Sequence, residues 1–235
     1  YIMNDKNIEE HYKKYGNTNL ITNSGLANNN QIYAIGDSHT IFFHNSMKIH
    51  EHWGYGSRIP LTMYTFTNND LNIYNIGTIL GNGHEKYNIK SNDYVIFFYG
   101  YNDVQNRFYA NFTNDLENNI SKLVNKYINK ILYLKETYKI NPIIPCIYPV
   151  AIKSNNLNVL GSDEERINYT LITNKLLESA CKKYNILFLN FYDDISENNK
   201  IKSKYTVDDI HLDYNNSEIR EFVEKKIFEL IFKNI

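Results

Sequence analysis

Short, continuously apolar segments alternating with longer stretches of helical period predict a three-layer α/β/α sandwich on a mainly parallel five-stranded sheet, of flavodoxin-like type. Two further observations support that class. Most of the candidate strands are continuously apolar rather than apolar at every second position, as strands covered on both faces are. The alternation also runs from Gln31 to the C-terminus with no internal repeat or low-complexity linker. With 235 residues, 43% of them hydrophobic and 22% charged, the chain can bury one full core.

Residues 1–30 are polar and Asn-rich, ending in Asn28-Asn29-Asn30, with a short helical possibility from Ile8 to Tyr15. They read as an N-terminal extension to a domain of residues 31–235. The strand candidates are Gln31–Ile35, Leu71–Ile76, Tyr94–Tyr99, Ile143–Pro149 and Ile186–Phe191, with Leu61–Phe66 as an additional or competing one. Between Leu116 and Tyr138, an apolar stripe of Leu123, Tyr127, Ile131 and Leu134 predicts a buried helix face, while Lys122, Lys126 and Lys130 mark a solvated one. Ser162-Asp-Glu-Glu165 is a capping-box pattern opening a helix with a stripe through Tyr169, Ile172, Leu176 and Ala180. The last helix starts near Asn216 and turns Phe222, Val223, Ile227 and Ile231 towards the sheet.

Charge and cysteine usage narrow the function classes. Lys+Arg 25 against Asp+Glu 26 gives a formal charge of −1, which lacks the electrostatic footprint of a phosphate-backbone binder, so nucleic acid is not an expected partner. No apolar run approaches the roughly 20 residues that cross a bilayer, and the first thirty positions lack a signal-peptide pattern. The chain opens on Tyr1 rather than Met, which leaves an upstream segment and the localisation open. Cys146 and Cys181 sit in apolar stretches and read as small core residues, weakly favouring a reducing compartment.

In a parallel sheet, functional groups gather beyond the carboxyl ends of the strands. After the first strand comes Gly36-Asp37-Ser38-His39-Thr40, followed by Ile41-Phe-Phe-His, which can start a helix. A serine on such a turn exposes its hydroxyl and has its N–H at a helix start, where an anionic oxygen is stabilised; the same residues also suit an ordinary capped turn. After the Tyr94–Tyr99 strand comes Gly100-Tyr101-Asn102-Asp103, whose Asn102 amide suits an oxyanion donor or a plain turn. Before the last helix stands Asp208-Asp209-Ile210-His211, in which a carboxylate three residues before a histidine can fix the imidazole tautomer.

Taken together, Gly36-Asp37-Ser38, Gly100-x-Asn102-Asp103 and Asp208-x-x-His211 closely resemble the motif blocks of the SGNH, or GDSL-type, hydrolase family, over roughly residues 31–235. The resemblance implies Ser38 as nucleophile, His211 as general base and Asp208 as its orienting acid, with Asn102 and the Ser38 N–H in the oxyanion hole. A third oxyanion donor is expected from a glycine N–H in Asn75-Ile-Gly77-Thr-Ile-Leu-Gly81-Asn82, where Gly77 fits by distance from the strand and Gly81 by the Asn that follows. His39 stands where the family usually has leucine, a variation familiar in members acting on sugar O-acetyl groups; it reads either as a solvent-facing helix start or as a substrate contact. Asp209 could replace Asp208, but the spacing prefers Asp208. Tyr101, Arg107 and His84 are further candidates for lining the pocket.

These readings lead to a serine esterase that cleaves a small acyl ester, first an O-acetyl group, on a small-molecule or glycan substrate. Two alternatives stand beside it: a glycan O-acetyltransferase using the same triad, and an inactive glycan-binding module on the same fold. No metal or other cofactor is expected. His50 and His52, taken as helical, fall on different faces, and His84-Glu85-Lys86 lacks the second histidine of a zincin motif. The adjacent acids Asp193 and Asp194 suggest a glycosidase only weakly, because paired loop acids are usually solvated or capping.

Overall fold

The computed structural model describes residues 30–43, 46, 49–53, 62–68, 89–112, 114–150, 159–207 and 210–233. Five strands, β1 (Ile32–Gly36), β2 (His50–Trp53), β3 (Tyr94–Phe98), β4 (Asn141–Pro145) and β5 (Leu187–Leu189), form one sheet in the order β2-β1-β3-β4-β5. Every pairing in it is parallel. The order reverses direction between β1 and β3, which is where a crevice opens beyond the strand ends of a doubly wound sheet. A small antiparallel pair, Ser196–Glu197 with Lys200–Ile201, lies outside this sheet.

The helices are α1 (Met63–Asn68), α2 (Phe108–Asn111), α3 (Leu116–Tyr138), α4 (Asp163–Tyr184), α5 (Tyr192–Ile195) and α6 (Ser217–Phe232). The 23-residue α3 buries Leu123, Tyr127, Ile131 and Leu134, the expected stripe, with Lys122 and Lys126 exposed on the other side. It packs against α4. Ser162 and Glu165 form the reciprocal capping box of α4, so an exposed turn fixes where that helix begins. The buried face of α4 is rotated from the expected stripe: Tyr169, Thr173, Leu177 and Cys181 are buried at i, i+4 spacing, while Ile172, Leu176 and Ala180 are only half-buried. Thr173 manages this by donating its hydroxyl to the Tyr169 carbonyl, which leaves its methyl group for packing. α6 is capped by Asn216 and buries Val223, Ile227 and Ile231, with Phe222 half-buried.

Three further expectations change. Leu61–Phe66 is not a strand: Met63–Asn68 is a helix, and the Asp103 carboxylate accepts from the Met63 N–H (2.6 Å) and the Tyr64 N–H (3.3 Å) at its start. His50–Trp53 is an edge strand, so the helical argument about the faces of His50 and His52 does not apply. The fourth strand begins at Asn141 and ends at Pro145, earlier than expected, and Cys146–Pro149 continue as irregular chain. The candidates Leu71–Ile76 and the extension over residues 1–29 lie outside the described residues.

Both cysteines are free and buried, with burial pushing each thiol up to about 12, so they act as inert core residues. No helix among the described residues is long and apolar enough to cross a membrane.

Candidate active site

The site begins at the carboxyl ends of the paired strands β1 and β3. A Cβ on Gly36 would lie 2.2 Å from the Phe98 carbonyl oxygen, so only glycine lets the two strands meet there. Immediately beyond, Ser38 opens a 3₁₀ helix, Ser38–Phe43. Asp37, which precedes it, is fully buried. Its Oδ1 accepts the His39 N–H at 3.0 Å, and its carbonyl accepts the Thr40 N–H at 3.1 Å as well as the Thr40 hydroxyl. The carboxylate therefore faces inward and knots the turn that carries Ser38.

The other oxygen of Asp37, Oδ2, accepts from Asn102 Nδ2 at 3.0 Å. Asn102 follows β3 across Gly100, whose φ of +115° and whose packing against Ile147 Cδ1 (2.8 Å from a built Cβ) exclude a side chain. Asn102 leads into a π-helical turn, Asp103–Arg107, and then α2. Such a widened turn holds one residue more than an α-turn and often marks a functional segment. Burial pushes the Asp37 carboxyl well above its usual range, aided by the Asp103 charge and opposed by the His39 N–H and the Asn102 amide. Burial likewise pushes Asp103 up to about 7, against the pull of the Met63 and Tyr64 N–H groups and of Arg107.

His39 is 2% exposed, so the solvent-facing reading is wrong. Its ring lies in an aromatic cluster: stacked on His211 (centroids 4.6 Å, planes 28° apart), tilted against Tyr101 (4.4 Å) and edge-on to Tyr148 (5.5 Å). Tyr101 stacks on Tyr148 at 4.3 Å and is itself buried, a wall rather than a solvated contact. Tyr148 hydrogen-bonds His39 Nδ1 and donates to the Ile210 carbonyl at 2.9 Å. A small cavity with space for about one water is lined by Tyr101 and Tyr148 of the cluster together with Asp37, Phe98 and Cys146.

His211 reaches this cluster from the segment before α6. Its carbonyl accepts the Val207 N–H at 3.1 Å, and Thr206 pairs antiparallel with Leu212, which ties down both ends of the stretch containing Asp208-x-x-His211. Asp208, Asp209, Gly77, Gly81, His84 and the side chain of Ser38 lie outside the described residues. Arg107 is elsewhere engaged: its guanidinium sits 3.4 Å over the Tyr64 ring and its charge bears on Asp103. Asp194 pairs with Lys226 at 2.5 Å in the short helix α5, a structural placement for one of the two adjacent acids.

Three participants have no clear mark in the sequence. Asp37 belongs to a recognised block, but its inward turn is set by the 3₁₀ helix. Tyr148 is one of 21 tyrosines and no motif singles it out. Asn174, in the middle of α4, accepts from the Ile147 N–H and donates to the Ile147 carbonyl, both at 2.7 Å, and so pins the chain next to Tyr148.

No protein-family model matches the sequence, and no curated protein matches it. Solved structures do. A GDSL-like lipase from Bacteroides thetaiotaomicron aligns at a TM-score of 0.55 with 18% identity, over 87% of this chain and 88% of its own. A protein from Bacteroides fragilis described as a candidate acylhydrolase aligns at 0.56 with 16% identity, over 88% of each chain. A protein from Streptococcus pneumonia described as a candidate platelet activating factor aligns at 0.54 with 16% identity, over 95% of this chain and 92% of its own. At these identities the likeness establishes the fold: the chain has the α/β/α architecture of the GDSL-like hydrolases.

Proposed function

We propose that the chain is a serine esterase of SGNH type that cleaves a small acyl ester, first an O-acetyl ester of a carbohydrate, through an acyl-serine intermediate. One observation carries the reading. Both chain neighbours of Ser38 are engaged by residues that the other motif blocks nominate: Asp37 holds Asn102, and His39 stacks on His211. Residues 102 and 211 thus converge on the turn that carries Ser38 from segments far away in sequence, which an ordinary capped turn does not require.

In this reading the Ser38 hydroxyl attacks the ester carbonyl while His211 accepts its proton, and Asp208 holds the imidazole tautomer. The oxyanion receives the Ser38 N–H, a glycine N–H from Gly77 or Gly81, and the Asn102 amide. An amide nitrogen carries two protons; Asp37 accepts one and thereby sets the amide plane, and the other is assigned to the oxyanion. His211 then returns its proton to the departing alkoxide, and water, activated by the same imidazole, releases the acid from Ser38.

The test is hydrolysis of p-nitrophenyl acetate, butyrate and octanoate by wild type and Ser38→Ala. Turnover that falls with chain length and vanishes in Ser38→Ala supports the reading. A folded wild type with no turnover refutes it and favours the binding module, unless acetyl transfer to an added glycan acceptor appears.

A further inference from the structure

We propose that Tyr148 and His39 are positioning residues that together set the ring of His211; the proposal rests on reading His211 as the general base. The Tyr148 hydroxyl has a single proton, which it donates to the Ile210 carbonyl. That carbonyl belongs to the peptide group preceding His211, so the bond fixes the plane from which the His211 side chain departs.

With its proton committed there, Tyr148 accepts from His39, and His39 Nδ1 is the protonated nitrogen. His39 is thereby held as one tautomer, in one orientation, with its face against the face of His211 at 4.6 Å. One hydroxyl therefore anchors the base twice, through the backbone before it and through the ring packed on it. Asn174, by gripping both polar groups of Ile147, and Tyr101, by stacking on the Tyr148 ring, hold the hydroxyl itself in place. A leucine at position 39 would fill similar space but could neither donate to Tyr148 nor take a fixed orientation from it.

The arrangement also bears on the proton. With Nδ1 its only protonated nitrogen, His39 is neutral, and an imidazolium at His211 then faces an uncharged aromatic ring rather than a second cation. Among the described residues, Asp37, which takes the His39 N–H, and the phenols of Tyr101 and Tyr148 meet this pair, and in the proposed mechanism the Asp208 carboxylate faces His211 as well.

Tyr148→Phe keeps the ring stack and removes only the hydroxyl. We expect it to lower kcat on p-nitrophenyl acetate by about tenfold with KM within about twofold, since a misplaced base costs rate rather than binding, and to move the acidic limb of the kcat/KM profile by about half a pH unit or more. His39→Leu should lose as much, and His39→Asn, which retains a donor near the Nδ1 position, should recover part of the loss. Imidazole ¹H–¹⁵N spectra provide a readout that needs no turnover: His39 should be protonated on Nδ1 in wild type, and its tautomer should become mixed in Tyr148→Phe. Unchanged kcat and pH profile in Tyr148→Phe, or a His39 protonated on Nε2, would overturn the proposal. If wild type shows no Ser38-dependent turnover, the esterase reading fails, and the spectra still decide whether Tyr148 orients His39.

Discussion

Replacing Asp103 with Asn tests whether a buried carboxyl beside the site is protonated in the folded protein. Asp103 is 0% exposed, and its side chain lies against the start of α1, where it accepts from Met63 and Tyr64. Its ordinary value is 3.8, and burial lifts it to about 7 in the folded chain. Between those values the folded state holds a proton that the unfolded state releases, so stability falls as pH rises through this window. The contribution is complete below about pH 4 and gone above about pH 7. Two of those pH units, from 5 to 7, correspond to about 3 kcal/mol at 1.36 kcal/mol per unit. Asparagine at 103 is neutral throughout, and it also removes the charge that helps to raise Asp37. The stability of Asp103→Asn relative to wild type should therefore improve by about 3 kcal/mol between pH 5 and pH 8, whatever the fixed cost of losing one acceptor at α1. Urea unfolding of both proteins at the two pH values measures this directly. A relative stability that is flat with pH, or that moves the other way, would show that Asp103 is ionised across the range and that Arg107 and the helix start outweigh burial.

The other expectations concern the catalytic set and the packing around it. Asn102→Ala should lower kcat by about 10²–10³-fold, the usual cost of one oxyanion donor; wild-type kcat in the folded variant would remove Asn102 from the mechanism. Asp208→Asn should impair turnover while Asp209→Asn should not, and steady-state kinetics with the reverse pattern would move the orienting acid to Asp209. Arg166 is fully buried, with Nη2 held by Asp163 and, among the described residues, no hydrogen-bond partner for Nε and Nη1. Arg166→Met should accordingly leave denaturant stability within about 1 kcal/mol of wild type or raise it, whereas Asp163→Ala should cost about 3 kcal/mol by leaving the guanidinium buried without its carboxylate.

The long, periodic parts of the fold were legible because their own residues decide them. Leu116–Tyr138 and the Ser162 cap needed no tertiary information, and the apolar runs at β1 and β3 could only be strands covered on both sides. What escaped was settled from elsewhere in the chain. His-Glu-His-Trp at β2 has no apolar run, yet it pairs because β1 offers an open edge. Leu61–Phe66 has the β-branched and aromatic composition of a strand, but the carboxylate of Asp103, 40 positions away, caps it as a helix. The face of α4 was misjudged because threonines that satisfy their own hydroxyls can replace apolar residues against the core. At the site, the motif blocks nominate the reacting groups and set His39 apart, but they do not show its neighbours: His39, Tyr148 and Asn174 acquire their contacts only from segments far away in the chain.

Those contacts also fix when the site can exist. The ties that assemble it join positions separated by 62 residues (Tyr148 to Ile210), 65 (Asn102 to Asp37) and 109 (Tyr148 to His39). Each closes a long loop, and long loops close late, after local helices have formed. No fragment ending before His211 contains the site, and a refolding chain can recover its full helical signal while still lacking it. The assembled site is then a property of the completed topology rather than of any early-forming segment.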